Sequence, residues 1–297
     1  MPLTETRKLP AHYRAATAYQ PSVTSPASAT GAPTALFMRK YFLPLILVFL
    51  FSAVTRAQVV VTATAGAPGP TNYTTLSGAF GAINAGTHQG AITIRINANT
   101  TEAAIAVLNA NGSGAAVYTS VDIRPAAGIS PVVSGNVNNG PVVRLNGSNN
   151  VTIDGSNNNT TSRNLSIVNT STSSSNVLHI GSVGTTAINN VTVRNTILTN
   201  GTNASTAVLA GDGAATGNPG YFSNLTLRNN DIRRAYIGIY LYATVSALNN
   251  NTVVEDNILD NSGADAIRLV GIYGQGVNGL TVRNNRIGNF ETTSPEF

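Results

Sequence analysis

A short phrase recurs through the second half of the chain. It reads NVTVRNTILTN from Asn190, NLTLRNNDIRR from Asn224, NTVVEDNILDN from Asn251 and GLTVRNNRIGNF from Gly279. Counted from the second residue of each copy, successive copies lie 34, 27 and 28 residues apart (191 to 225 to 252 to 280). A repeat with a period of about 20–50 residues is typical of a solenoid, in which each repeat stacks on the one before it.

Each copy has the residue pattern of a β-strand. Apolar and polar residues alternate, so Leu280 is predicted to face the interior and Thr281 the solvent. A second apolar strand precedes most copies, as in IGIYLYA from Ile237 and AIRLVG from Ala266. Because no long helix interrupts these units, the pattern predicts a β-solenoid. One interior column is expected to contain Val193, Leu227, Val254 and Val282.

An Asn or Asp residue follows the strand in each copy of the phrase. Asn tolerates left-handed backbone angles better than other residues with a side chain, so we expect these residues at the bend of each coil. Stacked coils would place them about 4.8 Å apart, where their side chains can hydrogen-bond along the stack. The predicted structural ladder consists of Asn195, Asn229, Asp256 and Asn284.

The phrases VTVRNT, LTLRNN and LTVRNN, with the paired strands GIYL and AIRL, resemble the right-handed parallel β-helix (pectin-lyase-like) superfamily. The resemblance covers the chain from Ala91 onward and implies an all-β fold, a right-handed parallel β-helix. A short helix commonly caps the first coil in that family. Thr74–Ala85 is placed to do so, since Leu76, Phe80 and Ile83 have helical spacing. The Asn-, Gly- and Thr-rich style also resembles modules of large secreted surface proteins of Gram-negative bacteria.

The N-terminal part of the chain predicts export. Residues 38–57 combine a basic start, an apolar run over Tyr41–Val54 and a short exit, which is the layout of a signal peptide. A membrane span needs about 20 apolar residues, and this run is shorter. The alternative to a cleaved signal peptide is an uncleaved N-terminal anchor. The other predicted parts are a disordered or misassigned extension (1–37), an N-terminal strand and capping helix (58–90), and the β-helix (91–297), which we expect to be truncated because no terminal cap is visible.

Charge and composition exclude several classes of function. From Gln58 onward the chain has eleven Arg against eleven Asp plus Glu and no Lys, so the exported part is neutral. Nucleic-acid binding needs a basic surface, and we therefore expect no nucleic-acid partner. The chain has no Cys, and only His88 and His179 follow the signal, which argues against zinc or thiol chemistry. We expect a monomer, or part of a longer chain, without a membrane span after export.

A catalytic site is not evident in the sequence. Lyases of the resembled superfamily pair an acidic calcium site with a basic residue, and its hydrolases group several Asp, often beside Gly-His-Gly. Here the carboxylates are scattered, and Glu255 is expected in a charge ladder between Arg228 and Arg283. Asp260 and Asp265 flank a turn and are weak candidates for a Ca²⁺ site; no other cofactor is predicted. His179 is expected to be a solvated strand residue.

The strand IGIYLYA carries the best candidate for a binding surface. Ile237, Ile239 and Leu241 are predicted to face inward. The remaining side chains would form an outer face with a gap at Gly238, and Arg268 of the next coil would align beside Tyr240. Exposed aromatic rings near a guanidinium suit sugar faces and hydroxyl groups. The predicted ligand-binding residues are Tyr236, Tyr240, Tyr242 and Arg268.

These observations lead to three hypotheses of function. The first is a secreted, non-catalytic β-helix module with a structural or carbohydrate-binding role at the cell surface. The second is a polysaccharide lyase or glycoside hydrolase, which would need clustered carboxylates or a cationic base on one face. The third is an adhesin-like passenger of a larger surface protein. A polysaccharide is the expected partner in the binding hypotheses.

Overall fold

The computed structural model describes residues 57–214, 217–245 and 250–290. The predicted signal peptide up to Arg56 and the extension before it lie outside the described residues, so both stay predictions. Within the described residues there is one α-helix, α1 (Leu76–Asn84), and one 3₁₀ turn (Gly263–Asp265). None of the helices described is long and apolar enough to cross a membrane.

The rest of the described chain is built from short strands. In chain order they are β1 (Val59–Gly66), β2 (Thr71–Tyr73), β3 (His88–Ile96), β4 (Thr100–Glu102), β5 (Ala106–Asn109), β6 (Tyr118–Pro125), β7 (Val132–Gly135), β8 (Pro141–Asn146), β9 (Val151–Asp154), β10 (Leu165–Asn169), β11 (Asn176–Ser182), β12 (Ile188–Arg194), β13 (Thr196–Thr199), β14 (Thr206–Asp212), β15 (Phe222–Arg228), β16 (Asp231–Arg233), β17 (Ala235–Tyr242), β18 (Thr252–Glu255), β19 (Ile258–Leu259), β20 (Ile267–Gln275), β21 (Leu280–Arg283) and β22 (Arg286–Ile287).

The strands form three sheets that run the length of a solenoid. Sheet A has the order β2-β1-β3-β6-β9-β12-β15-β18-β21, sheet B has β22-β19-β16-β13-β10-β7-β4, and sheet C has β20-β17-β14-β11-β8-β5. From β3 onward successive strands belong to sheets A, B and C in turn, and neighbours within each sheet are parallel. The predicted all-β fold, a parallel β-solenoid with a helix at its N-terminal side, is confirmed.

The interior column predicted from the repeat is also confirmed. Val193 pairs with Leu227, Leu227 with Val254, and Val254 with Val282 in the register of sheet A. The first three side chains are at most 1 % exposed, whereas Val282 in the last described coil is 48 % exposed. Strict alternation within each strand therefore builds a continuous apolar core along the solenoid axis.

Helix α1 closes the N-terminal side of the solenoid, as expected for Thr74–Ala85. The Thr75 side chain accepts from Gly78 N, which satisfies one free amide of the first turn. The buried carboxylate of Glu102, on the neighbouring strand β4, accepts from Leu76 N and Ser77 N at 2.9 Å each. A negative charge at this end also interacts favourably with the helix dipole. The helix is thus fixed to the first coil by polar contacts as well as by its apolar face.

The bends between sheets A and B contain two columns of Asn side chains. The backbone of all four residues of the predicted ladder is left-handed, with φ of 58° at Asn195, 51° at Asn229, 57° at Asp256 and 56° at Asn284. In this column Asn229 Nδ2 donates to Asn195 Oδ1 at 2.7 Å. Asp256 instead forms an ion pair with Arg228, with 3.3 Å between its Oδ2 and Arg228 Nε.

The more deeply buried ladder lies one residue later, at Asn230, Asn257 and Asn285. The backbone N–H of Asn230 donates to Asn257 Oδ1 at 2.9 Å, and that of Asn257 donates to Asn285 Oδ1 at 3.0 Å. The Nδ2 of Asn257 also donates to Leu227 O at 2.9 Å. Asn230 and Asn257 are each 1 % exposed. The second Asn of the repeated pair therefore carries the coil-to-coil bonding inside the bend.

Candidate functional site

The outer face of sheet C changes in character along the solenoid. The register places one outward residue of each strand beside the next, so that a single column runs across five strands. Its polar half lies on β8 and β11 and its aromatic half on β17 and β20, with an apolar residue on β14 between them. The column consists of Arg144, His179, Leu209, Tyr240 and Tyr273.

Three tyrosine rings form a cluster at the aromatic end. Tyr240 and Tyr242 lie nearly parallel, with ring centroids 5.5 Å apart and planes at 9°. Tyr273 meets Tyr240 edge-on, with centroids 5.2 Å apart and planes at 67°. Burial, followed by the neighbouring rings of Tyr242 and Tyr273, raises the pKa of Tyr240. Tyr273 is 44 % exposed, so it presents the most accessible ring of this tyrosine cluster.

The position expected for Arg268 is wrong. Its guanidinium carbon lies 5.6 Å from the centroid of the Tyr236 ring, in a cation–π arrangement, and Tyr240 pairs with Tyr273 instead. The register between β17 and β20 shifts because Ala235 pairs with Ile267 but Ile237 pairs with Val270. A β-bulge of this kind inserts an extra residue on one strand and displaces every later pair.

The sequence does contain a signal for the correct register. Gly238-Ile239-Tyr240 in β17 is repeated as Gly271-Ile272-Tyr273 in β20, and the two tripeptides lie side by side. Aligning the identical tripeptides, rather than the apolar run AIRLVG, would have identified Tyr273 as the third ring of the cluster.

The expected orientation of the start of β17 is also wrong. Ile237 is half-buried and does not belong to the apolar core, whereas Ile239 and Leu241 do, as predicted. Gly238 lies inside and leaves no gap on the outer face. A Cβ at Gly238 would contact the buried side chain of Leu259 and approach the backbone oxygen of Gly271 to 2.7 Å. The residue at this position must lack a side chain because sheet B packs directly against it.

His179 is not a solvated strand residue, as the sequence suggested, but is fully buried. The chain after β14 folds back, with Asp212 N donating to Asn218 O, and brings Gly213 against Gly181 beside the imidazole. Neither ring nitrogen has a hydrogen-bond partner of normal geometry among the described residues, but the backbone of Asp212 lies close enough to act on the imidazole. Burial first and the charge of Arg144 second lower the pKa of His179 to about 4, with Asp212 acting in the opposite direction.

The other histidine near the repeats is buried for a structural reason. His88 begins β3, and its ring contacts Tyr73 Oη at 2.7 Å and Ala67 O at 2.6 Å. Both ring nitrogens therefore have partners, in contrast to those of His179.

The carboxylates of the described residues are all engaged by nearby groups. Glu255 lies between Arg228 at 3.4 Å and Arg283 at 2.6 Å, so the predicted charge ladder is confirmed. Glu102 binds the helix amides and Asp212 accepts from Ala214 N. The remaining carboxylates form ion pairs with arginines: Asp122, Asp154, Asp231, Asp256, Asp260 and Asp265.

The two candidate calcium ligands pair with different arginines. Asp260 bonds Arg286 and Asn289, and Asp265 bonds Arg234 at 2.9 Å. Within the described residues no group of three or more His, Cys, Asp or Glu side chains could hold a metal ion. The Ca²⁺ hypothesis for Asp260 and Asp265 stays a prediction.

Comparisons with models of protein families, with curated proteins and with solved structures found no match to this chain. The role of the molecule is therefore inferred from its own residues. The tyrosine cluster and the polar pair Arg144–His179, at opposite ends of one outer column of sheet C, are the two features that the packing of the solenoid itself does not explain.

Proposed function

We propose that this protein is a secreted, non-catalytic β-solenoid module of the pectin-lyase-like type that binds carbohydrate through the tyrosine cluster. The observation that carries the proposal is the exposed ring of Tyr273, which packs edge-on against Tyr240, and Tyr240 in turn stacks on Tyr242. A ring held by its neighbours loses little conformational freedom on binding, and its apolar face can stack on a sugar ring. The Arg268 guanidinium near Tyr236 adds donors for hydroxyl groups.

The state of the carboxylates favours a non-catalytic role. A catalytic carboxyl group needs oxygens that are free to reach the reacting centre. In the described residues each carboxylate contacts an arginine or backbone amides, which occupy its oxygens. Apart from Asp212, these groups connect neighbouring coils or hold the helix.

The binding proposal predicts a specific effect of Tyr273→Ala. The full chain is applied to an array of immobilised neutral and acidic glycans, and the Kd for the best ligand is measured for parent and variant. Loss of a central aromatic contact should weaken binding about ten-fold or more, equivalent to about 1.4 kcal/mol. The melting temperature should change little because the ring is outside the apolar core.

Tyr273→Phe is the matched control, since it keeps the ring and removes only the hydroxyl group. It should retain most of the affinity if stacking dominates. The proposal fails if no glycan retains the parent chain, or if Tyr273→Ala binds as well as the parent.

Export is tested separately from binding. The signal-peptide hypothesis predicts that the exported chain begins at or near Gln58, because cleavage follows Ala57. Intact-mass measurement of the exported protein gives the answer directly. A mature chain that retains Tyr41–Val54 would contradict the hypothesis and favour an anchored form.

A further inference from the structure

Five Asn-Gly pairs occur in the chain, and the structure gives each of them different surroundings. The asparagines, each followed directly by glycine, are Asn111, Asn139, Asn146, Asn200 and Asn278. In such a pair the backbone nitrogen of the glycine can attack the side-chain amide of the asparagine, because glycine has no Cβ to hinder the approach. The attack is fast only where the two reacting atoms can come together, so the local structure decides which pair reacts.

Hydrogen bonds restrain two of the glycine nitrogens. Gly112 N donates to Ala116 O at 2.8 Å, and Gly147 N donates to Gly181 O at 2.7 Å. The attack requires the proton to leave the glycine nitrogen, so each of these bonds has to break before the pair can react.

Burial restrains two further pairs. Asn200 is 0 % exposed, its Oδ1 accepts from Ser175 Oγ at 2.8 Å, and its Nδ2 donates to Ser175 O at 3.0 Å. Gly140 is buried, and the residue before it is held in place because Asn139 N donates to Ser173 O at 2.9 Å. Neither pair can rotate without disturbing close packing between coils.

Asn278 and Gly279 lack both kinds of restraint. Both residues are exposed in the turn between β20 and β21. Among the described residues, neither the Asn278 side chain nor Gly279 N has a hydrogen-bond partner. Asn278 also lines a cavity of about 400 Å³ beside Val245 and Val277, which gives its side chain room to rotate and gives water access to it. Of the five pairs, this one has reacting atoms that are free to approach each other.

We propose that Asn278 is a site of spontaneous deamidation, with water as the co-reactant. Gly279 N bonds to Asn278 Cγ, the side-chain nitrogen takes the proton of the glycine amide and leaves as ammonia, and a cyclic succinimide remains. Water then opens the ring at either of its carbonyl groups. Opening at one carbonyl gives aspartate, and opening at the other gives isoaspartate, in which the backbone runs through the side chain.

The reaction adds a negative charge at the end of the sheet that carries the tyrosine cluster. Tyr242 and Gln275 are paired at the ends of β17 and β20, and Gly276, the residue after Gln275, lines the same cavity as Asn278. The chain from Gln58 onward is otherwise neutral, so each conversion produces a more acidic form of the protein. This reaction does not depend on carbohydrate binding and can be measured without a ligand.

The test incubates the full chain in neutral buffer and locates modified residues by peptide mass spectrometry. Cleavage after arginine releases residues 269–283 as one peptide, in which Asn278 is the single asparagine. Modification at Asn278 should be at least about ten-fold faster than at any other Asn-Gly pair, because the others must first break a hydrogen bond or leave a buried position. Isoelectric focusing should show the more acidic form appearing at the same rate.

The same chain unfolded in guanidinium chloride controls for effects of local sequence. All five pairs are then free of the fold, so the ratio of folded to unfolded rates isolates the effect of the structure at each pair. This ratio should be largest at Asn278.

Asn278→Gln should abolish the acidic form, because the longer side chain does not form the succinimide. Asn111→Gln is the matched control, since it removes another exposed asparagine that precedes a glycine, and it should leave the acidic form unchanged. Three results would overturn the proposal. They are modification of another Asn-Gly pair as fast as Asn278 in the folded chain, an unmodified Asn278 over the time in which the unfolded chain reacts, and an acidic form that persists in Asn278→Gln.

Discussion

Val254→Asp is expected to unfold the coils on either side of β18. Val254 is 0 % exposed and lies in the interior column between Leu227 and Val282. A carboxylate there would have no partner in an otherwise apolar column, and an unpaired buried charge costs several kcal/mol. We expect a loss of at least about 3–5 kcal/mol in the free energy of unfolding, measured by urea denaturation.

Val282→Asp supplies the matched control for this prediction. Val282 occupies the same column and carries the same side chain, but it is 48 % exposed in the last described coil. The new carboxylate there can remain hydrated, so the loss should be about 1 kcal/mol or less. A Val254→Asp protein that melts like the parent would mean that the register of sheet A is wrong.

The second large effect is expected from Asn257→Leu. Leucine resembles asparagine in shape, but it removes the bonds that Asn257 makes to Asn230 N, Leu227 O and Asn285 Oδ1. Each buried group left without a partner costs about 1–3 kcal/mol, so a total loss of about 3–6 kcal/mol is expected. Urea denaturation monitored by circular dichroism provides the measurement.

Asn278→Leu is a suitable comparison for the ladder variant. Asn278 is an exposed turn residue on the connection between β20 and β21, and the same substitution there should change stability by about 0.5 kcal/mol or less. If Asn257→Leu also lowers the free energy of unfolding by less than about 1 kcal/mol, the buried Asn ladder contributes little to stability. The coils would then be held together by their apolar columns.

The sequence by itself determined the repeating architecture. The alternation in Leu280–Arg283 and its counterparts is a local property, since successive side chains of a strand must point to opposite faces. The left-handed bends at Asn195 and Asn229 are equally local, because tolerance of that conformation belongs to the residue type. The period of the phrase then fixed which residues stack, and Val193, Leu227 and Val254 lie in the expected column.

The arrangement of the candidate site was decided by tertiary structure. A single bulge between β17 and β20 places Arg268 by Tyr236 and brings Tyr273 to Tyr240. Alternation within one strand contains no information about an extra residue in the next, so parity alone could not place these side chains. The packing of sheet B against Gly238 decides which residues of β17 face the interior.

The burial of His179 has the same kind of origin. Its position in β11 is outward by alternation, and the sequence of the strand therefore predicts a solvated ring. The chain after β14 returns over it and packs Gly213 against Gly181, a contact between coils 32 residues apart in sequence (181 to 213). The exposure of an outward side chain depends on whether another segment of the chain packs over it. Long-range packing decides that, and the alternation within the strand contains no information about it.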